Sequence, residues 1–127
     1  MAKMFSEKIF DGYKVYEYDL CGRKLVVENG KMAGHVGMSF FCGEGYITNV
    51  AVRENYRKRG IGTGLIETLL SFAKDKELEF VSLEVRASNN AAIKLYKKCG
   101  FELIGERKNF YTGPTENALI MTRLMSK

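Results

Sequence analysis

Residues 46–70 read YITNVAVRENYRKRGIGTGLIETLL, and the change of period inside this stretch decides the fold. Residues 46–52 are rich in β-branched and aromatic side chains, the composition of a strand. From Ile61 onward the apolar residues recur at Ile61, Leu65, Ile66, Leu69, Leu70 and Ala73, the spacing of a helix with one buried face. A strand, a basic turn and an amphipathic helix therefore follow one another.

The turn between them runs against ordinary helix building. The positive end of a helix dipole favours acidic residues, yet Arg57, Lys58 and Arg59 stand just ahead of it. Gly60, Gly62 and Gly64 flank Ile61 and Thr63 where each glycine costs about 1 kcal/mol relative to alanine. Helix stability is not the reason for them. Bare backbone N–H groups, a helix dipole and flanking cations together suit a phosphate or pyrophosphate. The spacing is G-x-G-x-G, so neither the dinucleotide fingerprint G-x-G-x-x-G nor the loop G-x-x-x-x-G-K-[ST] is present. The run Arg57-Lys58-Arg59-Gly60-Ile61-Gly62 resembles motif A, [RQ]-x-x-G-x-[GA], of the GCN5-related N-acetyltransferases (GNAT). In that family the loop holds the pyrophosphate of acetyl-coenzyme A. A glycine-rich turn beside a solvated basic cluster is the competing reading of these residues.

The whole chain has the size of one domain, residues 1–127, with 46% hydrophobic and 28% charged residues, as in soluble globular proteins. Lys and Arg outnumber Asp and Glu by 20 to 15, a net charge of +5 that suits a polyanionic cofactor, an acidic or ribosomal partner, or solubility alone, and does not choose among them. No basic stripe with interleaved aromatics points to direct nucleic-acid binding. Cys21, Cys42 and Cys99 are odd in number and widely spaced, which fits reduced thiols in a cytoplasmic protein rather than zinc or disulfides. His35 is the only histidine, which leaves little for a Ser-His-Asp triad or a His-ligated metal, and no metal is expected. No run is long and apolar enough for a membrane span or a signal peptide.

Taken in order, residues 5–10 read as one or two helical turns with Ser6 as a possible cap. Residues 13–20 alternate in their second half and favour a strand. Cys21-Gly22 turns the chain into a strand at residues 24–28, and Asn29-Gly30 is a strong hairpin signal. Residues 31–41 form a long strand in which Gly34 and Gly37 mark bulges or close backbone approach. Residues 43–45 turn into the central strand, and the helix that follows ends near Lys76. Residues 80–86 alternate, with Val81, Leu83 and Val85 on one face and Phe80, Ser82, Glu84 and Arg86 on the other. Taken alone, Glu84 is a solvated edge carboxylate. Ser88 or Asn89 caps a helix at residues 90–98, and Gly100 occupies the left-handed position after it. Ala92, Ile93 and Tyr96 share a face of that helix, which makes Tyr96 half-buried; alone it reads as a core tyrosine bonded to backbone. Strands at residues 101–106 and 118–124 flank a loop at 112–117. One mixed, mostly antiparallel sheet with helices packed against it follows, an α+β or three-layer α/β fold.

A wider resemblance then covers residues 29–124. Ile47-Thr48-Asn49-Val50-Ala51-Val52, Leu83-Glu84-Val85-Arg86-Ala87-Ser88-Asn89, Ala91-Ala92-Ile93-Lys94-Leu95-Tyr96, Gly100-Phe101 and Arg107-Lys108-Asn109-Phe110-Tyr111 are, in this order, similar to the RimI-type acetyltransferases. Those enzymes acetylate the N-terminal amine of a ribosomal protein. The resemblance implies the GNAT fold, acetyl-coenzyme A and a protein N-terminus as acceptor. It implies Glu84 as base, often through water, and Tyr96 as acid. It also implies a cofactor site of Val50, Ala51 and Val52, the loop Arg57, Lys58, Arg59, Gly60, Ile61, Gly62, Thr63 and Gly64, and Asn89 on the pantetheine arm. Asn49, Arg107 and Tyr111 would meet the acceptor. These roles suit the chemistry, since a thiol titrates near ~8.5 and a phenol near ~10, so a tyrosine can share its proton with a nascent thiolate.

The chain departs from the family at two places. The strand and helix that usually precede the segment matching residues 5–10 have no room here; the expectation is either that residues 13–20 serve as a substitute edge strand, hairpinned onto residues 24–28, or that the chain is a truncated or mis-started form. An exposed edge makes a weak homodimer an alternative to a monomer. The loop at 112–117 also looks short, and Asn117 stands where many relatives carry an acid. A small-amine acetyltransferase of the same fold, and a non-catalytic acetyl-coenzyme A or partner-binding module, remain as alternatives.

Overall fold

The computed structural model describes residues 2–5, 14–19, 22–28, 32–52 and 61–125. Eight strands form one sheet in the order β1-β2-β3-β4-β5-β6-β8-β7. They are β1 (Ala2–Phe5), β2 (Lys14–Asp19), β3 (Gly22–Glu28), β4 (Met32–Phe41), β5 (Glu44–Val52), β6 (Phe80–Arg86), β7 (Glu102–Tyr111) and β8 (Glu116–Leu124). Helix α1 (Ile61–Asp75) joins β5 to β6, and α2 (Asn90–Lys98) joins β6 to β7. β5 and β6 are parallel, and the other neighbouring pairs are antiparallel. A strand-helix-strand crossover thus sits inside a series of hairpins. No described helix is long and apolar enough to cross a membrane.

The period of residues 61–73 sets the core. Ile61, Leu65, Ile66, Leu69, Leu70 and Ala73 are all buried, and they join Val36, Met38, Ile47, Val81, Leu83, Val85 and Met121 in one apolar cluster. Each fully buried leucine or isoleucine there contributes about 1.5–3 kcal/mol by leaving water. Gly34 shows how closely α1 rests on the sheet. A Cβ on it would lie 2.9 Å from the Ala51 carbonyl oxygen and 3.3 Å from Ile61 Cγ2, so only glycine admits this approach. Gly37 falls at a register shift. It pairs with Asn49 while Met38 pairs with Ile47, which leaves Thr48 as an extra residue in β5.

The strand at residues 80–86 and the helix at 90–98 lie where the sequence places them. Asn89 is the cap, its Oδ1 accepting from the Ala92 N–H at 3.1 Å, and Gly100 follows the helix at φ 94°. Elsewhere the structure corrects the reading. Phe5 belongs to β1 and not to a helical turn, because residues 2–5 pair with β2; residues 6–10 lie outside the described residues. The edge strand is accordingly β1, with β2 one place inside. The turn before β5 is confined to Cys42 and Gly43, both at positive φ, and Glu44 and Gly45 already pair with β4. β7 runs to Tyr111 rather than stopping near Glu106, and β8 begins at Glu116, so residues 112–115 alone connect them.

Candidate active site

The parallel ladder between β5 and β6 consists of Glu44 with Phe80, Gly45 with Val81 and Tyr46 with Ser82. Both strands continue past it, to Val52 and Arg86, without further pairing to each other. The extra residue Thr48 bends β5 just where the ladder ends, so the two strands part in a fork. An opening of about 490 Å³ lies at this fork, lined by Tyr46, Thr48, Glu84, Arg107, Phe110 and Tyr111 among others.

Glu84 reaches it because residues alternate along β6. Val81, Leu83 and Val85 turn into the core, while Ser82 and Glu84 line the opening. Glu84 is on an interior strand, paired with Ile120 of β8, and is not the edge carboxylate that its sequence neighbours suggest. Arg107 of β7 reaches across β8, and its Nε lies 2.8 Å from Glu84 Oε2. With Arg107 59% exposed, this pair contributes little to stability, and its consequence is to hold the carboxylate in one place. The Arg107 guanidinium also lies 5.4 Å from the Phe110 ring centre. Tyr111 has its phenol pushed above the ordinary value by partial burial first and then by the negative charge of Glu84, against the opposing charge of Arg86.

Tyr96 is buried, not half-buried, and packs against Phe101 with ring centres 5.9 Å apart. Burial, then the charges of Tyr111 and Cys99, push its phenol up to about 12. It is not among the residues lining the opening and belongs to the core cluster. Helices α1 and α2 meet there. A Cβ on Gly62 would sit 3.2 Å from Leu95 Cδ2 and 3.7 Å from Val52 Cγ2. Close packing therefore explains Gly62 as well as ligand access does.

Of the expected pyrophosphate loop, Arg57, Lys58, Arg59 and Gly60 lie outside the described residues. Ile61, Gly62, Thr63 and Gly64 form the first turn of α1, which carries no acidic residue, so the positive end of the dipole is not neutralised there. Asn49, Val50 and Ala51 pair with β4 on one side and have no β6 partner on the other. A first helical turn without acidic residues and a strand edge without β6 partners suit a long ligand with an anionic middle and an amide-bearing arm. The described part of the donor set is compatible with coenzyme A.

Sequence reasoning missed Tyr46, Thr48 and Phe110 as lining residues, and it missed Arg86. The period of two that exposes Glu84 was the available signal for Arg86. Asn117, expected only as a departure from the family, bonds through Nδ2 to Glu106 Oε2 at 2.6 Å and through Oδ1 to the Asn109 N–H at 2.9 Å.

The model of the acetyltransferase (GNAT) family matches residues 3–101. The ribosomal protein bS18-alanine N-acetyltransferase of Escherichia coli K12 is 38% identical over 98 residues, 76% of this chain and 66% of that relative. An N-alpha-acetyltransferase of Sulfurisphaera tokodaii is 40% identical over 79 residues, 61% of this chain and 47% of that protein. The crystal structure of the ribosomal-protein-S18-alanine N-acetyltransferase from Escherichia coli superposes with a TM-score of 0.79 at 34% identity, covering 87% of this chain and 73% of that one. The chain spans about two thirds of the length of the curated bS18-alanine acetyltransferases that it matches first.

Proposed function

The chain belongs to the acetyltransferase (GNAT) family, and on that premise we propose that it moves the acetyl group of acetyl-coenzyme A to the N-terminal α-amine of a protein, a ribosomal protein in the first instance. The observation that carries the reading is the fork between β5 and β6, with Glu84, Arg107 and Tyr111 around its opening.

When bound, acetyl-coenzyme A supplies the acetyl group as an activated thioester. The backbone of Val50, Ala51 and Val52 would bond its pantetheine arm as a strand would. Arg57, Lys58, Arg59 and Gly60, with Ile61, Gly62, Thr63 and Gly64, would hold its pyrophosphate. Asn89 commits its Oδ1 to capping α2, so its Nδ2 is the group that would donate to the arm.

Glu84 takes the proton of the incoming amine, directly or through water. Arg107 holds the carboxylate until the acceptor arrives, and then turns to the acceptor's backbone with Asn49 and Tyr111. An α-amine titrates near ~8 and lysine near ~10.4, so an N-terminus is far more often neutral near pH 7 and asks less of one carboxylate. Tyr96, in the core cluster rather than along the opening and with a phenol pushed up to about 12, would stay protonated throughout the working range and would serve as a hydrogen-bond donor toward the thioester sulfur. A thiolate whose own pKa is near ~8.5 needs that donor more than a completed proton transfer.

Release of free coenzyme A thiol is the test, measured with peptides beginning Ala, Ser, Thr or Met and with polyamines in parallel. Peptide-dependent release is expected. Faster release with a polyamine than with any peptide would replace the protein acceptor with a small amine, and binding of acetyl-coenzyme A with no release would refute the transfer.

A further inference from the structure

We propose that Arg86 is a positioning residue for the acceptor wall: its guanidinium locks the β7–β8 hairpin so that Tyr111 stands beside Glu84, and Glu116 carries the same constraint to the start of α2. The proposal rests on the acetyltransferase reading of the opening and adds to it a residue with no role in the reaction itself.

Arg86 ends β6, two residues beyond Glu84 and on the same face of the strand. Its Nη1 donates to the Pro114 carbonyl oxygen at 3.0 Å and to Glu116 Oε2 at 3.1 Å, and its Nη2 donates to the Thr112 carbonyl oxygen at 2.8 Å. Its Cζ lies 4.7 Å from the centre of the Tyr111 ring. One planar fork therefore holds the connecting turn, the first residue of β8 and the ring that ends β7. Ladder pairing between β7 and β8 stops at Tyr111 with Glu116, and Arg86 takes up the Thr112 and Pro114 carbonyls of the turn beyond it. A lysine could place a charge there but could not meet two carbonyls and a carboxylate in one plane while stacking on a ring.

Glu116 extends the lock. Its Oε1 accepts from the Ser88 N–H at 3.0 Å, and the Ala87 N–H donates to the Asn117 carbonyl oxygen at 3.1 Å. Ser88 precedes Asn89, the cap of the helix that carries Tyr96. The wall and the start of α2 are thus tied through Ala87 and Ser88, the two residues that follow β6. The contacts are partly exposed, so they add little to global stability. Their effect is on placement, where a displacement of about 1 Å in a reacting site can cost about 10²-fold in rate.

Arg86→Gln and Arg86→Lys in the full chain test this. Both are expected to lower peptide kcat/KM about 10-fold to 100-fold, mostly through KM, with a much smaller loss of affinity for acetyl-coenzyme A. Lysine should not rescue. A parallel readout needs no turnover. The chain contains no tryptophan, so Tyr111→Trp introduces a single reporter in the wall. Adding Arg86→Gln should red-shift its emission and raise acrylamide quenching severalfold, and Glu116→Gln should do the same to a smaller extent if Arg86→Gln fails to fold. Unchanged emission and quenching in these variants would overturn the proposal. So would full rescue by lysine, or a loss of acetyl-coenzyme A affinity equal to the loss for peptide, which marks general loosening. If wild type acetylates no peptide, the acetyltransferase reading fails on its own, and the reporter still decides whether Arg86 holds the wall.

Discussion

On one face of β6, Val81, Leu83 and Val85 are sealed in the cluster with α1; on the other, Ser82 and Glu84 line an opening and Arg86 holds its wall. One seven-residue strand carries both faces, and different forces hold them. The core face depends on area removed from water, is non-directional, and is spread over many side chains. The open face depends on a few directional bonds among Glu84, Arg107, Arg86 and Glu116, most of them partly exposed. Stability and chemistry should therefore respond to different substitutions on one strand.

The sharpest test of that division is Glu84→Gln. Loss of the base is expected to lower kcat by about 10²-fold to 10⁴-fold with the melting temperature almost unchanged. A comparable loss of stability would merge the two faces. The converse is Leu69→Ala, a fully buried position on α1, which should cost about 2–5 kcal/mol in urea unfolding while activity per folded molecule is retained. Gly34→Ala should fall below it, at about 1–3 kcal/mol, because its Cβ would press on the Ala51 carbonyl oxygen.

Smaller effects separate the faces by pH. Tyr96 is raised from 10.0 to about 12, chiefly by burial, so its contribution is present below pH 10 and lost as pH rises through 12. Tyr96→Phe should narrow the stability lost between pH 10 and 12 in alkaline unfolding curves; identical curves would mean that the phenol is not buried. Glu116 behaves oppositely. Hydrogen bonds from Ser88, and then the Arg86 fork, hold its carboxyl below the ordinary 4.5. Its contribution is present above pH 4.5 and fades as pH falls through the lowered value, so wild type and Glu116→Gln should converge in acid. Divergence there would place the Glu116 contacts outside the folded state's balance.

The core face was legible in the sequence because it is written in local periods. Ile61 to Ala73 repeats with the helix, Val81 to Val85 alternates with the strand, and Asn89 and Gly100 bracket α2 within a dozen residues. The open face was legible only where residues resembled a known family, as with Glu84 and Tyr111. Arg86 meets Thr112, Pro114 and Glu116 across 26 to 30 positions, and no local pattern predicts such contacts. The extension of β7 was hidden for a related reason. Asn109 takes a positive φ of 52° at a register shift, and the side chain of Asn117 from the next strand supports it. β1 has four residues and no alternation to announce it, so its strand conformation follows from pairing with β2.

The most direct test of the whole account is to locate the acetyl group. A peptide that begins with alanine and carries an internal lysine is incubated with the protein and acetyl-coenzyme A, and the product is fragmented in a mass spectrometer. Acetylation of the α-amine, absent with Glu84→Gln, is the predicted result. Acetyl on the lysine side chain, or an unmodified peptide while a polyamine is acetylated, would contradict it.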